Sequence, residues 1–495
     1  MRRSLVWAYG AQGVNLLVGF GSSVALARLL APSDFGIFMV AAALSALLGT
    51  FTDFGVGAYL VREKEIDPHR FRSAFTINAA LALCLSAILN VAALVERLVF
   101  DAQTVGQVLH IISLSPLVAC LMFGPTSMAT REMRFGQISA ANVVRTVVTA
   151  IASILLALAG LGALSFAWGS VAGTAAALAL WIVLRPRVVV MPPSRRHARE
   201  ICVFGVQMMS IGGVAQAASR VSDLVLGYLA GLAALGIYGR AANLSNIIFN
   251  NVYGSATNVL FSRMSQNLRD HGTLHEIFSY AMSILLGLLW PMLLGLALLS
   301  GPIILTLYGE RWLGAALPLS LLMIAQFVVL AFGMNWELFV LRKRTDLQAR
   351  FELIRATGGT AAFTVGAVFG INWAAAGRIV EACLGYLLYR PYIDEMAGMR
   401  AGEMGRLYRQ SLWLTLIAVG PSAILMAWYG WSPRTPLPLV AGAVLIGMGG
   451  WAAFAFASRH PLFLEAERLW HMVSERPAGV TGLHTMEETR DLRRF

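Results

Sequence analysis

The chain has 495 residues, 58% of them hydrophobic and 13% charged, with a mean hydropathy of +0.69. Soluble domains carry about 25% charged residues, so this composition excludes an ordinary soluble globular protein. The formal net charge of +12 does not point to nucleic acid, because no basic stretch is interleaved with aromatic residues.

Apolar runs of about 20 residues recur from end to end, each able to cross roughly 30 Å of hydrocarbon. Fourteen spans are expected, at 8–27, 36–60, 73–95, 106–130, 138–160, 163–184, 203–229, 236–261, 277–299, 315–340, 351–371, 373–390, 411–430 and 436–457. The first follows Met1-Arg2-Arg3, and Ala25-Leu26-Ala27 mimics a cleavage site. Its apolar part is too long for a signal peptide and reads as a retained helix. The four cysteines, Cys84, Cys120, Cys202 and Cys383, lie in or at the ends of separate spans without CxxC spacing. That spacing speaks against disulfides and against a zinc site, and no metal or cofactor is expected.

Loop charge sets the expected topology. With the N-terminus in the cytoplasm, the inner segments hold 29 Lys and Arg, and the outer segments hold four, Arg28, Arg97, Arg311 and Arg434. This positive-inside excess puts both termini in the cytoplasm. The five remaining arginines, Arg145, Arg220, Arg240, Arg355 and Arg378, fall inside spans.

FGIFMVAAALS at 35–45 aligns without a gap to LGIYGRAANLS at 235–245, an offset of 200. The match extends to Gly13/Gly213, Ser22/Ser222, Leu26/Leu226 and Leu29/Leu229. The copies start at spans 1 and 7, so both enter from the same side. Parallel repeats of this kind build transporters whose substrate site lies between two bundles near the midplane. The expected architecture is an all-α membrane protein of two six-helix lobes, 1–184 and 203–392. A cytoplasmic linker (185–202) joins them, and added helices 13 and 14 (393–458) and a cytoplasmic tail (459–495) follow.

Polar residues inside spans mark the interior of such a bundle. Span 8 carries Arg240, Asn243, Asn250 and Thr257 at intervals of three and seven, where the first repeat copy has Val40 and Ala43 for the first two. Span 7 carries Gln216, Ser219, Arg220 and Asp223, and span 1 carries Gln12, Asn15, Ser22 and Ser23. Arg220 lies about ten residues from a boundary, too deep for an easy reach to the surface, and Arg145, about seven from one, is intermediate. Arg355 and Arg378 lie about five residues in and read as snorkelling structural residues. Asp53, Asp223, Glu337, Glu352 and Glu381 balance the five arginines, so a plain cationic funnel does not follow.

LARLLAPSDFGIFMVA (26–41) and FTDFGVGAYLVR (51–62) resemble the opening of the polysaccharide exporter family of the colanic acid and succinoglycan type. REMRFGQIS (131–139) and YGERWLGAALPLSLL (308–322) resemble its later landmarks. The resemblance implies the superfamily that also holds the lipid II flippases and the multidrug and toxin exporters. It implies a bacterial inner-membrane flippase, not an enzyme, moving an undecaprenyl-diphosphate-linked oligosaccharide by alternating access. Its partners would be the bilayer, that lipid, a polysaccharide polymerase and a chain-length regulator, with no nucleic acid. Arginine forms bidentate bonds to phosphate, and Asn both donates and accepts toward sugar hydroxyls. The expected cargo contacts are therefore Arg220, Arg240, Asn243, Asn250, Arg145 and Arg28, with Asp223, Asp53 and Glu381 as coupling or ion-pair residues. Pro32, Asp34 and Gly36 read as turn residues, with Asp34 the N-cap of span 2. The rival within the fold is a multidrug or cation-coupled exporter. A membrane glycosyltransferase, polymerase or ligase is disfavoured, because the longest outer loops, 96–105 and 300–314, offer few catalytic side chains. The tail segment LFLEAERLWHMVSE reads as an amphipathic surface helix or a partner-binding segment.

Overall fold

The computed structural model describes residues 2–52, 56–62, 67–96 and 103–463. Within them the regular structure is helical. The first half holds α1 (Arg2–Leu29), α2 (Pro32–Thr52), α3 (Val56–Arg62), α4 (Pro68–Val95), α5 (Gln103–Ile112), α6 (Leu114–Arg131), α7 (Phe135–Leu158) and α8 (Leu164–Leu184). The second half holds α9 (Ala198–Ala230), α10 (Leu232–His271), α11 (His275–Leu298), α12 (Ser300–Tyr308), α13 (Ala316–Ala331), α14 (Asn335–Leu341), α15 (Thr345–Val368) and α16 (Ile371–Ala397). The pair α17 (Glu403–Trp428) and α18 (Leu437–Ala457) closes the described chain. Most of the tail, from residue 464, lies outside the described residues.

Local sequence explains where the helices begin. Asp67 caps α4 by accepting from the His69 N–H at 3.2 Å, with Pro68 in the first turn, where its missing N–H costs nothing. At α2 the expected cap is refined. Ala31 holds the cap position, and Asp34, three residues on, reaches back to accept from the Ala31 N–H at 3.1 Å. That is the returning half of a capping box. The tight turn into α10 uses Gly231, whose φ of 88° suits glycine.

Among the described residues, ten helical stretches are long and apolar enough to cross a membrane. Four long helices outside that set, α9, α10, α15 and α16, carry the Asn, Asp, Arg and Glu side chains discussed below. In the first half α7 packs on α1 and α8, and α4 on α5 and α6. In the second half α15 packs on α16 and α9, and α13 on α10, α11 and α16. The α17–α18 pair attaches through α11, where Trp451 donates to the Gly287 carbonyl at 3.0 Å.

The halves meet chiefly where α2 packs on α9 and α10. At the end where α2 and α10 start, the contact is reciprocal in the repeat numbering. A Cβ on Gly36 would overlap the carbonyl of Leu232, and a Cβ on Gly236 would overlap the carbonyl of Pro32. Residue 36 thus meets 232 while 236 meets 32, an internal two-fold contact of the kind made by symmetric dimers. Glycine in both copies lets two helix starts touch through their backbones. This accounts for the repeat being best preserved there.

The same end is held by side chains that the opening motif and the 308–322 landmark supply. Arg28 donates from Nε to the Leu307 carbonyl at 3.1 Å and from Nη2 to the Thr306 carbonyl at 2.6 Å, closing the C-terminal end of α12. Trp312 donates to the Ala27 carbonyl at 2.7 Å, and its ring meets Phe35 edge-on with centroids 5.0 Å apart. Two stretches some 280 residues apart are therefore one structural feature. At the opposite end the REMRFGQIS landmark serves a clamp: Arg185 pairs with Glu132 at 3.0 and 2.7 Å and with Gln137 at 3.0 Å, fixing the start of the linker.

Adding a methyl group at the glycine contact forces the helix starts apart at a cost of about 1–3 kcal/mol. We expect spin labels at Leu29 and Leu229, both exposed, in a background free of the four cysteines, to separate further in Gly36→Ala. Gly13→Ala, which meets open space, serves as the control. An unchanged distance in Gly36→Ala would contradict the backbone contact.

Candidate functional site

A cavity of about 500 Å³ opens among α9, α10, α13, α15 and α16, bordered by Met39 of α2. Its described lining holds three arginines, Arg220, Arg355 and Arg378, and three carboxylates, Asp223, Glu352 and Glu381. Tyr238, Asn243, Asn246, Gln326 and Thr360 add uncharged polar groups. Helix spacing explains the grouping. Glu352 and Arg355, like Arg378 and Glu381, are three residues apart and share a face. The antiparallel packing of α15 on α16 turns those faces together.

The pairs are unequal. Arg355 grips Glu352 with two donors, at 2.5 and 3.1 Å, and reaches Glu381 with the third at 2.5 Å. Arg378 takes the other oxygen of Glu381 at 2.7 Å and lies 4.6 Å over the Phe363 ring. Arg220 is looser, 3.8 Å from Asp223, with 41% of its side chain exposed. It is the guanidinium with most donor capacity turned to the cavity. Asn243 and Asn246, both exposed on α10, border the same space.

The other expected contacts lie elsewhere. Arg240 is 5% exposed and absent from the cavity wall. It hydrogen-bonds the Ser23 hydroxyl of α1, and its guanidinium lies 3.9 Å from the Phe35 centroid, 5.1 Å from Tyr308 and 5.3 Å from Trp312. Three aromatic faces stabilise this cation, so Arg240 is built into the closed end described above. Arg28 is committed to the α12 carbonyls. Arg145 is exposed on α7, Asn250 is exposed on α10 beyond the cavity lining, and Thr257 is buried with its hydroxyl on the Gly254 carbonyl at 3.3 Å. Asp53 lies outside the described residues, as do the side chains of Gln216 and Ser219.

Sequence reasoning gave Arg355 and Arg378 to the surface because both lie near a span boundary. The structure brings them into the cavity instead, since each is neutralised there. The signal was present: a carboxylate three residues from each arginine, on two consecutive spans, forms a four-charge group once those spans pack. Burial depth alone outweighed it.

Residues 25–317 match the family described as "Polysaccharide biosynthesis protein". The chain is 22% identical over 492 residues to the lipopolysaccharide biosynthesis protein WzxC of Escherichia coli K12, covering 93% of this chain and 94% of that one. It is 26% identical over 373 residues to the succinoglycan biosynthesis transport protein ExoT of Rhizobium meliloti 1021, covering 74% of each. Among solved structures, the lipid II flippase MurJ in an inward closed conformation superposes with a TM-score of 0.71 at 14% identity, over 92% of this chain and 99% of that one. A multidrug resistance MATE family transporter in an inward-facing conformation gives 0.57 at 14% identity, over 78% and 96%. These likenesses give the chain a MurJ/MATE-type transporter fold. With its family match spanning more than half its length, this helical, multi-pass membrane chain belongs to the polysaccharide biosynthesis protein family.

Proposed function

We infer that the chain is a flippase of the bacterial inner membrane, moving an undecaprenyl-diphosphate-linked oligosaccharide outward by alternating access. The observation that carries this reading is the cavity itself: three arginines and two exposed asparagines, with three carboxylates, collected inside a membrane bundle. Guanidinium donors suit a diphosphate, and amides suit sugar hydroxyls. The family and the names of the relatives, lipopolysaccharide and succinoglycan biosynthesis, point the same way. The chain works as a transporter and not as an enzyme. A polysaccharide polymerase and a chain-length regulator are its natural partners in the membrane.

In this reading the lobes are 1–184 and 203–392, linked through 185–202, and α17–α18 is an accessory pair. Both termini face the cytoplasm, so the closed α2–α10 end faces outward. The head group is held in the second lobe, with Arg220, Asn243 and Asn246 as first contacts. Arg240 meets cargo only when the closed end opens. The cation-exporter alternative would draw on Asp223, Glu352 and Glu381, but each of these is matched by an arginine.

Two experiments test this. In a cysteine-free background, single cysteines at Arg311 and Arg434 should react with impermeant maleimide from outside, and cysteines in 185–199 should be protected. External labelling of 185–199 would overturn the orientation. The double variant Arg220→Gln/Asp223→Asn removes both charges of the loose pair, so it should insert at wild-type levels. If Arg220 binds phosphate, polysaccharide export by this variant falls at least about tenfold, the loss of one charge-assisted bond of roughly 1.5–3 kcal/mol. Full export would rule out Arg220 as an anion contact.

A further inference from the structure

The cavity holds as many carboxylates as guanidiniums. With all six ionised, the described lining is neutral, and an arriving anion meets Arg355 and Arg378 already occupied. Glu381 is the hub of this arrangement. Its side chain is 13% exposed, one oxygen holds Arg355 at 2.5 Å and the other holds Arg378 at 2.7 Å. It is seated against Gly359 of α15, where a Cβ would overlap its Cγ and Cδ, so it has little freedom to swing clear. Its charged and titratable neighbours come from every side. From α15 come Glu352 and Arg355, from α9 Arg220 and Asp223, from α10 Tyr238, and from its own helix Arg378. Tyr389 of α16 donates to Glu352 at 3.3 Å. Glu337 of α14 lies toward Tyr253 of α10, and α13 contributes the uncharged Gln326.

An anion that took Arg355 and Arg378 would place like charges within a few ångströms of Glu381, and a like charge at that distance disfavours the ionised carboxylate. We propose that Glu381 is an exchangeable counter-ion that takes up one proton from cavity water when an anionic head group binds Arg355 and Arg378, and returns it when the head group leaves. The balance is simple. The Glu381 carboxylate becomes a carboxylic acid, and the Nη1 donors of Arg355 and Arg378 pass from its two oxygens to two oxygens of the head group. Arg355 keeps Glu352 on its other edge, so it stays in place through the exchange. The protonated Glu381 then offers an O–H donor where it had offered only acceptors. Two guanidiniums sharing one carboxylate match a ligand with two phosphoryl groups. By linkage, affinity for the anion rises as pH falls, because the bound state holds more protons than the free state.

This rests on the proposed cargo class, and the experiment separates the two. Undecaprenyl diphosphate serves as the probe, titrated calorimetrically into the full-length chain in nanodiscs between pH 6 and 8. Buffers of different ionisation enthalpy give the proton count. The wild type should take up close to one proton per probe bound, with affinity falling by up to about tenfold per pH unit. Phosphate titration works in the opposite direction, since guanidiniums favour the deprotonated diphosphate and release its proton. Net uptake therefore reports the protein. Glu381→Gln should bind without uptake, with a flat pH profile and more tightly than wild type at pH 8. Glu352→Gln should keep the uptake. Binding by the wild type with no uptake, or uptake lost in Glu352→Gln but kept in Glu381→Gln, would overturn the exchange and leave the cargo class standing. Absence of any binding would overturn the cargo class and the exchange with it.

Discussion

An ionised side chain at the centre of a bilayer costs about 2.5–3.5 kcal/mol even on the lenient insertion scale, and this chain places five arginines inside its expected spans. That cost organises the molecule. Three of the five, Arg220, Arg355 and Arg378, share one cavity with three carboxylates. A fourth, Arg240, has no carboxylate among its described contacts and is held by Ser23 and three aromatic rings. The helices that carry these four pack inward, while the fifth, Arg145, is exposed on α7. The second half therefore becomes the polar half, and α15 and α16 are bound to each other by ions as well as by packing.

Arg240 also ties the cavity helices to the closed end. Its cage takes Ser23 from α1, Phe35 from α2, and Tyr308 and Trp312 from its own half, so drawing α2 away from α10 removes the nearest of its three rings. In the alternating-access reading proposed above, parting the halves would leave Arg240 without Phe35 and Ser23 and freer to meet an anion. The reciprocal glycine contact sets the geometry of the same end. Its backbone-on-backbone approach brings the two helix starts closer than any side chain at 36 or 236 would allow.

Much of the fold was legible because hydrophobic length and the repeat are global signals. The stretches expected to span fall on helices from α1 to α18, and the match of Gly36 with Gly236 marks a true meeting point. The site was legible in part. Arg220, Asp223, Asn243 and Glu381 line one cavity, because the polar faces of their helices turn together. Arg240, Arg28 and Asn250 lie off the cavity for a definite reason. Periodicity along one helix says which residues share a face, but not which neighbour that face meets. Arg240 is set off from Asn243 by enough rotation to meet α1 instead of the cavity. Arg28 lies in a motif whose partner, Thr306 and Leu307, is 278 and 279 residues away, beyond the reach of any local pattern. Asp34 shows the same limit on a smaller scale, since its capping role was recognisable but its position in the cap was not.

The central claim is that the cavity of the second half selects an anionic lipid head group. Its most direct measurement is transbilayer movement in proteoliposomes of two fluorescent lipids with the same polyprenyl tail and the same sugar, one joined through a diphosphate and one through an uncharged linkage. Bleaching of the outer leaflet by a membrane-impermeant reductant reads the rate. The account predicts that the protein speeds the diphosphate lipid at least about tenfold more than its uncharged counterpart, the difference a single charge-assisted contact can make. Equal rates for the two lipids, or a diphosphate rate no faster than in protein-free liposomes, would contradict it.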